Sequence, residues 1–257
     1  MELQALLEKA EPILRQAGEL VRSIPHPAVY SKEGHANFVT EADMASQQFL
    51  MEHLSPLLPE ARFFAEEQEE NKMAPGFNWV IDPIDGTTNF VRGFAYTNIS
   101  VALAKDGQVE YAVVYAPLAG ELYTARRGGG ATLNGRAIHV SGRDPGHSLV
   151  VCGSTIYDRS YTERHFAIMR YLYDRGLDYR RFGAAALDLC QVAAGRAEVF
   201  FECRLSPWDF AAGSLLVQEA GGCVTTLEGT TIDPLRPGSV FAANALCGGL
   251  TAELPRG

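Results

Sequence analysis

The chain has 257 residues, enough to bury a full hydrophobic core as one large domain or two moderate ones. Apolar residues make up 47% and charged residues 21%, the balance of a soluble globular protein. The formal net charge of -9 argues against nucleic acid as the main partner, because such binding rests on a Lys/Arg-rich face, and it fits a cation site instead.

No stretch reaches the roughly 18 to 20 uninterrupted apolar residues of a membrane span. The N-terminus lacks a basic region followed by an apolar core, so the expected address is cytoplasmic. Cys152, Cys190, Cys203, Cys223 and Cys247 are widely spaced and contain no Cys-x-x-Cys. They indicate neither a disulfide framework nor a zinc site and read as small buried hydrophobes. The six histidines show no metal-ligand spacing.

Leu3, Leu6, Leu7, Ala10, Leu14, Ala17, Val21 and Ile24 recur at helical spacing and predict an amphipathic helix over residues 2–23, ended by Pro25 and Pro27. After a loop containing Lys32, Thr40 reads as the N-cap of a second helix running to about Leu54. Asp43 falls at its N3 position, and on spacing alone it is a capping device. Arg62-Phe63-Phe64-Ala65 is a strand-like run ending in Glu66 and Glu67. Those two acids are equally a carboxylate site or the start of the acidic loop Gln68-Glu69-Glu70-Asn71-Lys72.

The most informative stretch is Trp79-Val80-Ile81-Asp82-Pro83-Ile84-Asp85-Gly86-Thr87-Thr88-Asn89-Phe90. An apolar run stops at two carboxylates three residues apart, with Pro83 fixing the backbone between them. Both carboxylates can bend toward one point while the carbonyl of Ile84 is presented to it, a convergence of hard oxygens that suits Mg²⁺. Asp-Pro and Asp-Gly also mark ordinary turns, but Gly86-Thr87-Thr88 adds a bare glycine and successive amides, an anion nest beside the cation. Asn89 is expected only to shape the turn.

From Thr97 the pattern changes to period two with hairpin punctuation and predicts an antiparallel meander through Ala125. Gly128-Gly129-Gly130 reads as a turn, since it lacks the Gly-Lys-Ser/Thr ending of a phosphate loop. A composition shift at residues 141–147 marks the expected boundary between an N-terminal α+β domain, residues 1–143, and a C-terminal α/β domain, residues 144–257. Beyond it strands are predicted at 149–152, 179–182, 197–201, 223–226 and 240–243, and helices at 161–175, 184–194 and 209–220, with Asp209 as the N-cap of the last.

The run from Asp82 to Phe90 resembles, without a break, the signature of the inositol monophosphatase family of Mg²⁺-dependent, lithium-sensitive phosphatases. Val39-Thr40-Glu41-Ala42-Asp43 is similar to the family's Val-Thr-x-x-Asp, and Phe63 to Glu67 to its Phe-x-Gly-Glu-Glu, with Ala65 in the glycine position. Trp208-Asp209-Phe210-Ala211-Ala212-Gly213 with Glu219-Ala220-Gly221-Gly222 resembles its second signature, and Gly183-Ala184-Ala185-Ala186 its Gly-Ser-Ala-Ala segment. Together these cover roughly residues 32 to 222.

The resemblance implies a mixed α+β and α/β fold, a layered αβαβα sandwich of the sugar-phosphatase type. It implies two or three Mg²⁺ ions held by Glu66, Asp82, the Ile84 carbonyl, Asp85 and Asp209, and a Thr87 hydroxyl oriented by Asp43 to activate water. Gly86 and Thr87 would grip the phosphate, and Ala185, Glu198, Glu202 and Lys32 would lie near the substrate. The implied reaction is hydrolysis of inositol monophosphate by a homodimer with no membrane association. Fructose 1,6-bisphosphate, histidinol phosphate and 3′-phosphoadenosine 5′-phosphate are alternative substrates, and an RNA- or transcription-associated regulatory partner is the non-catalytic alternative.

Overall fold

The computed structural model describes residues 3–32, 38–68 and 71–256. The helix start predicted at residue 2, the side chains of Leu3, Leu6 and Leu7, and Glu69-Glu70 of the acidic loop lie outside the described residues.

Helix α1 (Leu3–Arg22) is followed by β1 (Val29–Ser31) and β2 (Phe38–Thr40), which pair antiparallel where the sequence suggested only a loop. Helix α2 (Glu41–Leu54) begins on a complete capping box. The Asp43 carboxylate accepts from the Thr40 amide at 2.7 Å and from the Thr40 hydroxyl, and the Asp43 amide donates back to Thr40 Oγ1 at 3.3 Å. Such a cap is worth about 1 kcal/mol.

The first sheet then forms from β3 (Arg62–Ala65), β4 (Phe77–Asp85), β5 (Asn98–Lys105), β6 (Gln108–Ala116), β7 (Glu121–Arg126), β8 (Gly130–Leu133) and β9 (Arg136–Ile138), hydrogen-bonded in sequence order. All pairs are antiparallel except β3 with β4. Between β4 and β5 the short helix α3 (Thr87–Val91) replaces what the sequence showed as turn residues. The glycine run between β7 and β8 is a turn, and its Gly128 and Gly130 amides each donate at 2.8 Å to a carboxylate oxygen of Glu219.

The second half alternates β10 (Leu149–Cys152), α4 (Thr162–Tyr173), β11 (Asp178–Arg180), α5 (Ala185–Ala193), β12 (Val199–Leu205), α6 (Pro207–Glu219), β13 (Cys223–Thr225) and β14 (Gly238–Ala243). Its sheet runs β11-β10-β12-β14-β13, parallel across β11, β10 and β12 and antiparallel beyond. Helix α6 starts two residues earlier than predicted. Ser206 takes the extended cap conformation and Pro207 occupies the first turn, so Asp209 sits at N3 and accepts from the Ser206 amide at 2.7 Å.

Side-chain alternation stacks these elements into five layers. Ile99, Val101, Leu103, Tyr111, Val113 and Tyr115 pack with Leu14, Ala17 and Leu50 of α1 and α2. The opposite face of the same strands, Ala102, Ala112, Val114 and Ala116, meets α5 and α6. Those helices also cover Phe200 and Ala242 of the second sheet, whose far side, Val199, Phe201 and Phe241, packs on Ile168 and Leu172 of α4. The order is therefore helices, sheet, helices, sheet, helix. Small residues on β5 and β6 let α5 and α6 approach closely, and at the crossing Gly213 leaves no room for a side chain against Leu189.

Candidate active site

The site grows out of the end of β4. That strand is buried from Asn78 to Asp85 and pairs regularly with β5 until Asp82 opposes Ser100. Asp85 opposes Asn98, so three steps along β4 match two along β5. The extra residue is a bulge, placed where Pro83 has no amide to give to a ladder, and it re-aims the side chains at the strand's end. Asp82 Oδ1 then accepts from the Ile84 amide at 3.1 Å. The Asp85 carboxylate accepts from Asn98 Nδ2 at 2.8 Å, and from the Ala185 and Ala186 amides at 3.1 and 2.8 Å. These last two are donors at the start of α5, where a negative charge is favoured.

Gly86 turns the chain into α3 with φ of +86°, and a Cβ there would sit 3.1 Å from both Ala184 Cβ and the Tyr96 carbonyl. Only glycine combines that backbone angle with that closeness. Thr87 follows, its hydroxyl within reach of Asp43 Oδ1 at 3.2 Å and of the Ile84 carbonyl at 3.0 Å. Asn89 clamps the segment by donating at 2.8 Å to the carbonyls of Tyr96 and Phe182.

One cleft is lined by Glu66, Asp82, Ile84, Asp85, Gly86 and Thr87 from the first half of the chain, and by Ala185, Glu202 and Asp209 from the second. Glu66 arrives because β3 runs parallel to β4 and its amide continues the ladder to the Ile81 carbonyl at 3.1 Å. Burial raises the carboxyl pKa of Asp82 well above its ordinary value, reinforced by the charges of Glu66, Asp85, Asp209 and Asp43. Asp209 is raised in the same way by burial and then by Glu66 and Asp85. Burial also raises Glu66, against the opposing charge of Lys32, and Asp85, against hydrogen bonds from Asn98 and from the amides at the start of α5. Asp43 is pushed up by burial and held back by Thr40 and Thr87.

A group of acids that raise one another in this way calls for positive charge. Among the described residues, no three Asp, Glu, His or Cys side chains close into a cage by themselves. The carboxylates and the Ile84 carbonyl instead ring an open cleft. That donor set fits Mg²⁺, which takes one or two carboxylates, retains waters and uses substrate oxygens for the rest.

Of the residues expected near the substrate, one changes place and two gain detail here. Glu198 is not in the cleft: it precedes β12, four residues and about 13 Å of extended chain before Glu202, and its buried carboxylate is committed to Ser141, Arg143 and the Leu149 amide at 2.7, 3.0 and 2.6 Å. Lys32 is not among the residues lining the cleft but stands beside it, its ammonium paired at 3.3 Å with Glu66, which does line it, and with Glu67. Ala185 does line it, but its amide is already given to Asp85. Glu202 lies in the cleft wall and is buried, with Oε1 accepting from the Thr155 amide at 2.9 Å and its pKa pushed up by burial to about 7. No spacing signal pointed to Arg181 and Tyr157, which also line the cleft, or to Asn98, which holds Asp85.

The sequence matches the model of the family described as the inositol monophosphatase family over residues 2–256. The chain belongs to the inositol monophosphatase family. Among its relatives, the Nus factor SuhB of Escherichia coli K12 is 39% identical over 232 residues, 88% of this chain and 87% of that one. An inositol-1-monophosphatase of Rhizobium meliloti is 39% identical over 244 residues, 94% and 90% of the two chains. The crystal structure of the extragenic suppressor protein SuhB from Bartonella henselae superposes with a TM-score of 0.90 at 32% identity, covering 98% and 99%. The layered fold of the inositol monophosphatases is thus the fold of this chain. Among the described residues no helix is long and apolar enough to cross a membrane.

Proposed function

We propose that this protein is a Mg²⁺-dependent phosphomonoesterase that releases phosphate from inositol monophosphate. The observation carrying this reading is that Glu66, Asp82, Asp85 and Asp209, from four separate segments, border one cleft beside the Thr87–Asp43 pair. When bound there, Mg²⁺ supplies Lewis acidity to the phosphoryl group and lowers the pKa of a water.

Glu66, Asp82, the Ile84 carbonyl, Asp85 and Asp209 would hold the ions. The Thr87 hydroxyl would orient the attacking water, taking its proton as its own passes toward Asp43 Oδ1, while the P–O bond to the polyol breaks and the departing alkoxide takes a proton from solvent. Asp43 is fixed for this task by Thr40 on its other oxygen. Gly86 and Thr87 present the start of α3 to the phosphate, where amide donors stabilise charge as it develops. Glu202 accepts from a ring hydroxyl of the leaving polyol.

A phosphate-release panel of inositol 1-phosphate, fructose 1,6-bisphosphate, histidinol phosphate and 3′-phosphoadenosine 5′-phosphate, with and without Mg²⁺ and Li⁺, tests this. Inositol 1-phosphate should be turned over best, only with Mg²⁺, and less with Li⁺. Preference for a nucleotide, or turnover without divalent cation, would overturn it. Relatives named Nus factors favour a second role as an RNA- or transcription-associated partner. The net charge of -9 favours a protein over a nucleic-acid contact, and a gel shift at physiological salt separates the two.

A further inference from the structure

Arg181 stands apart from every other residue lining the cleft. Five carboxylates border that space, and Arg181 is the one cationic side chain among the described lining residues. Its neighbour Arg180 is occupied, with Nη1 2.6 Å from Asp178 and 2.7 Å from the Tyr179 carbonyl. The Arg181 guanidinium has no hydrogen bond or ion pair among the described residues. It lies folded over Gly183, where a Cβ would come within 2.7 Å of Nη1 and 3.3 Å of Cζ. Gly183, at φ of +88°, thus leaves the space that the guanidinium occupies. On the same side of the fold, Glu202 projects from β12 and is held by Thr155. Gly153 makes room for it, since a Cβ there would collide with the Glu202 carboxylate.

Chemistry connects the two. An ionised carboxylate only accepts hydrogen bonds and a guanidinium only donates them, whereas each hydroxyl of a polyol ring does both. We propose that Arg181 is a specificity-determining residue: its guanidinium donates to ring hydroxyls of the polyol phosphate while Glu202 accepts from them. This rests on the polyol-phosphatase reading and adds to it a residue that selects the hydroxyl array. A ring without hydroxyls would leave the Arg181 guanidinium unpaired and Glu202 with Thr155 alone, a strong form of discrimination for a polar site.

The test compares wild type with Arg181→Met and Arg181→Lys on myo-inositol 1-phosphate and 4-nitrophenyl phosphate. In Arg181→Met the ratio of the two kcat/KM values should fall about tenfold through KM for the inositol ester, with partial recovery in Arg181→Lys. An unchanged ratio overturns the proposal. So does an equal loss on both esters that deepens at low salt, which would make Arg181 a long-range steering charge. Calorimetric titration of free myo-inositol, with Mg²⁺ and inorganic phosphate present, reads the same contact without turnover. Unchanged affinity in Arg181→Met, or no binding to wild type, overturns it too. Failure of wild type to hydrolyse any ester overturns the phosphatase reading instead. Size-exclusion chromatography of each variant accompanies these measurements; an altered oligomeric state in Arg181→Met would assign the side chain to a subunit contact and sink the proposal.

Discussion

Thr87 has one hydroxyl proton and two acceptors in range, the Asp43 carboxylate and the Ile84 carbonyl. A hydroxyl poised between them can pass its proton to one and turn to a water without any backbone movement. The Thr87→Ala variant should therefore lose about 10² or more in kcat at saturating Mg²⁺, while Thr87→Ser retains most of it; wild-type turnover in the alanine variant would remove Thr87 from the chemistry. At this scale the sequence was most legible where a residue's job is set by near neighbours. Asp82, Gly86 and the Thr40–Asp43 box are all decided within a few residues, and all stand where the spacing put them. Glu198 and Glu202, four apart, could not be told apart in that way. Only the sheet's depth separates them, one ending beside Arg143 and Ser141 and the other in the cleft.

Elements carry the second level of the design. The β4 bulge and the start of α5 together fix Asp85, one from each side, so the carboxylate ties the first sheet to the middle helices. Helix α6 brings Asp209 to the same cleft only because it can lie against α5. There a Cβ at Gly213 would fall 2.5 Å from Leu189 Cδ1 and 2.6 Å from Leu189 Cβ. In an isolated helix Gly213→Ala would gain about 1 kcal/mol. Overpacking costs about 1–3 kcal/mol, and here the obstacle includes a Cβ, which no rotamer change can remove. The variant should be net destabilised, read as a lower denaturant midpoint at unchanged slope; an unchanged or higher midpoint would show that the helices can part freely. Helix α3 and the β1–β2 pair escaped the sequence reading for a related reason. Both are too short to show a period, and α3 is held by tertiary partners, through the Asn89 bonds to Tyr96 and Phe182.

Across the whole molecule, the cleft acids set a pH dependence. Asp43, Glu66, Asp82, Asp85 and Asp209 all hold protons more tightly in the folded chain than their ordinary values allow. Below the ordinary carboxylate range both states are protonated, and the stability associated with these groups is fully present. As pH rises through that range the unfolded chain ionises first, so the metal-free protein loses stability toward neutral and alkaline pH. Bound Mg²⁺ opposes this by favouring the ionised carboxylates of the folded state. In EDTA the melting temperature should fall between pH 5.5 and 8, and the gain on adding Mg²⁺ should be larger at pH 8. Equal gains at both pH values would mean that the ion binds elsewhere. An α+β part followed by an α/β part was legible in the change from period-two strands to alternating strands and helices, and the five-layer order came from the family resemblance. Which helices share the middle layer was not legible, since α5 and α6 are apolar nearly all round and their sequences do not say which sheet they face.

The two roles of Asp43 also bear on how sequences are diagnosed. One oxygen serves the start of α2 and the other faces Thr87, so an acid at this position is required by the helix whether or not any phosphate is ever cleaved. Its presence in another chain is weak testimony for catalysis. Thr87 caps nothing, and a chain that kept the aspartate but lost this hydroxyl would announce a scaffold whose chemistry had been retired.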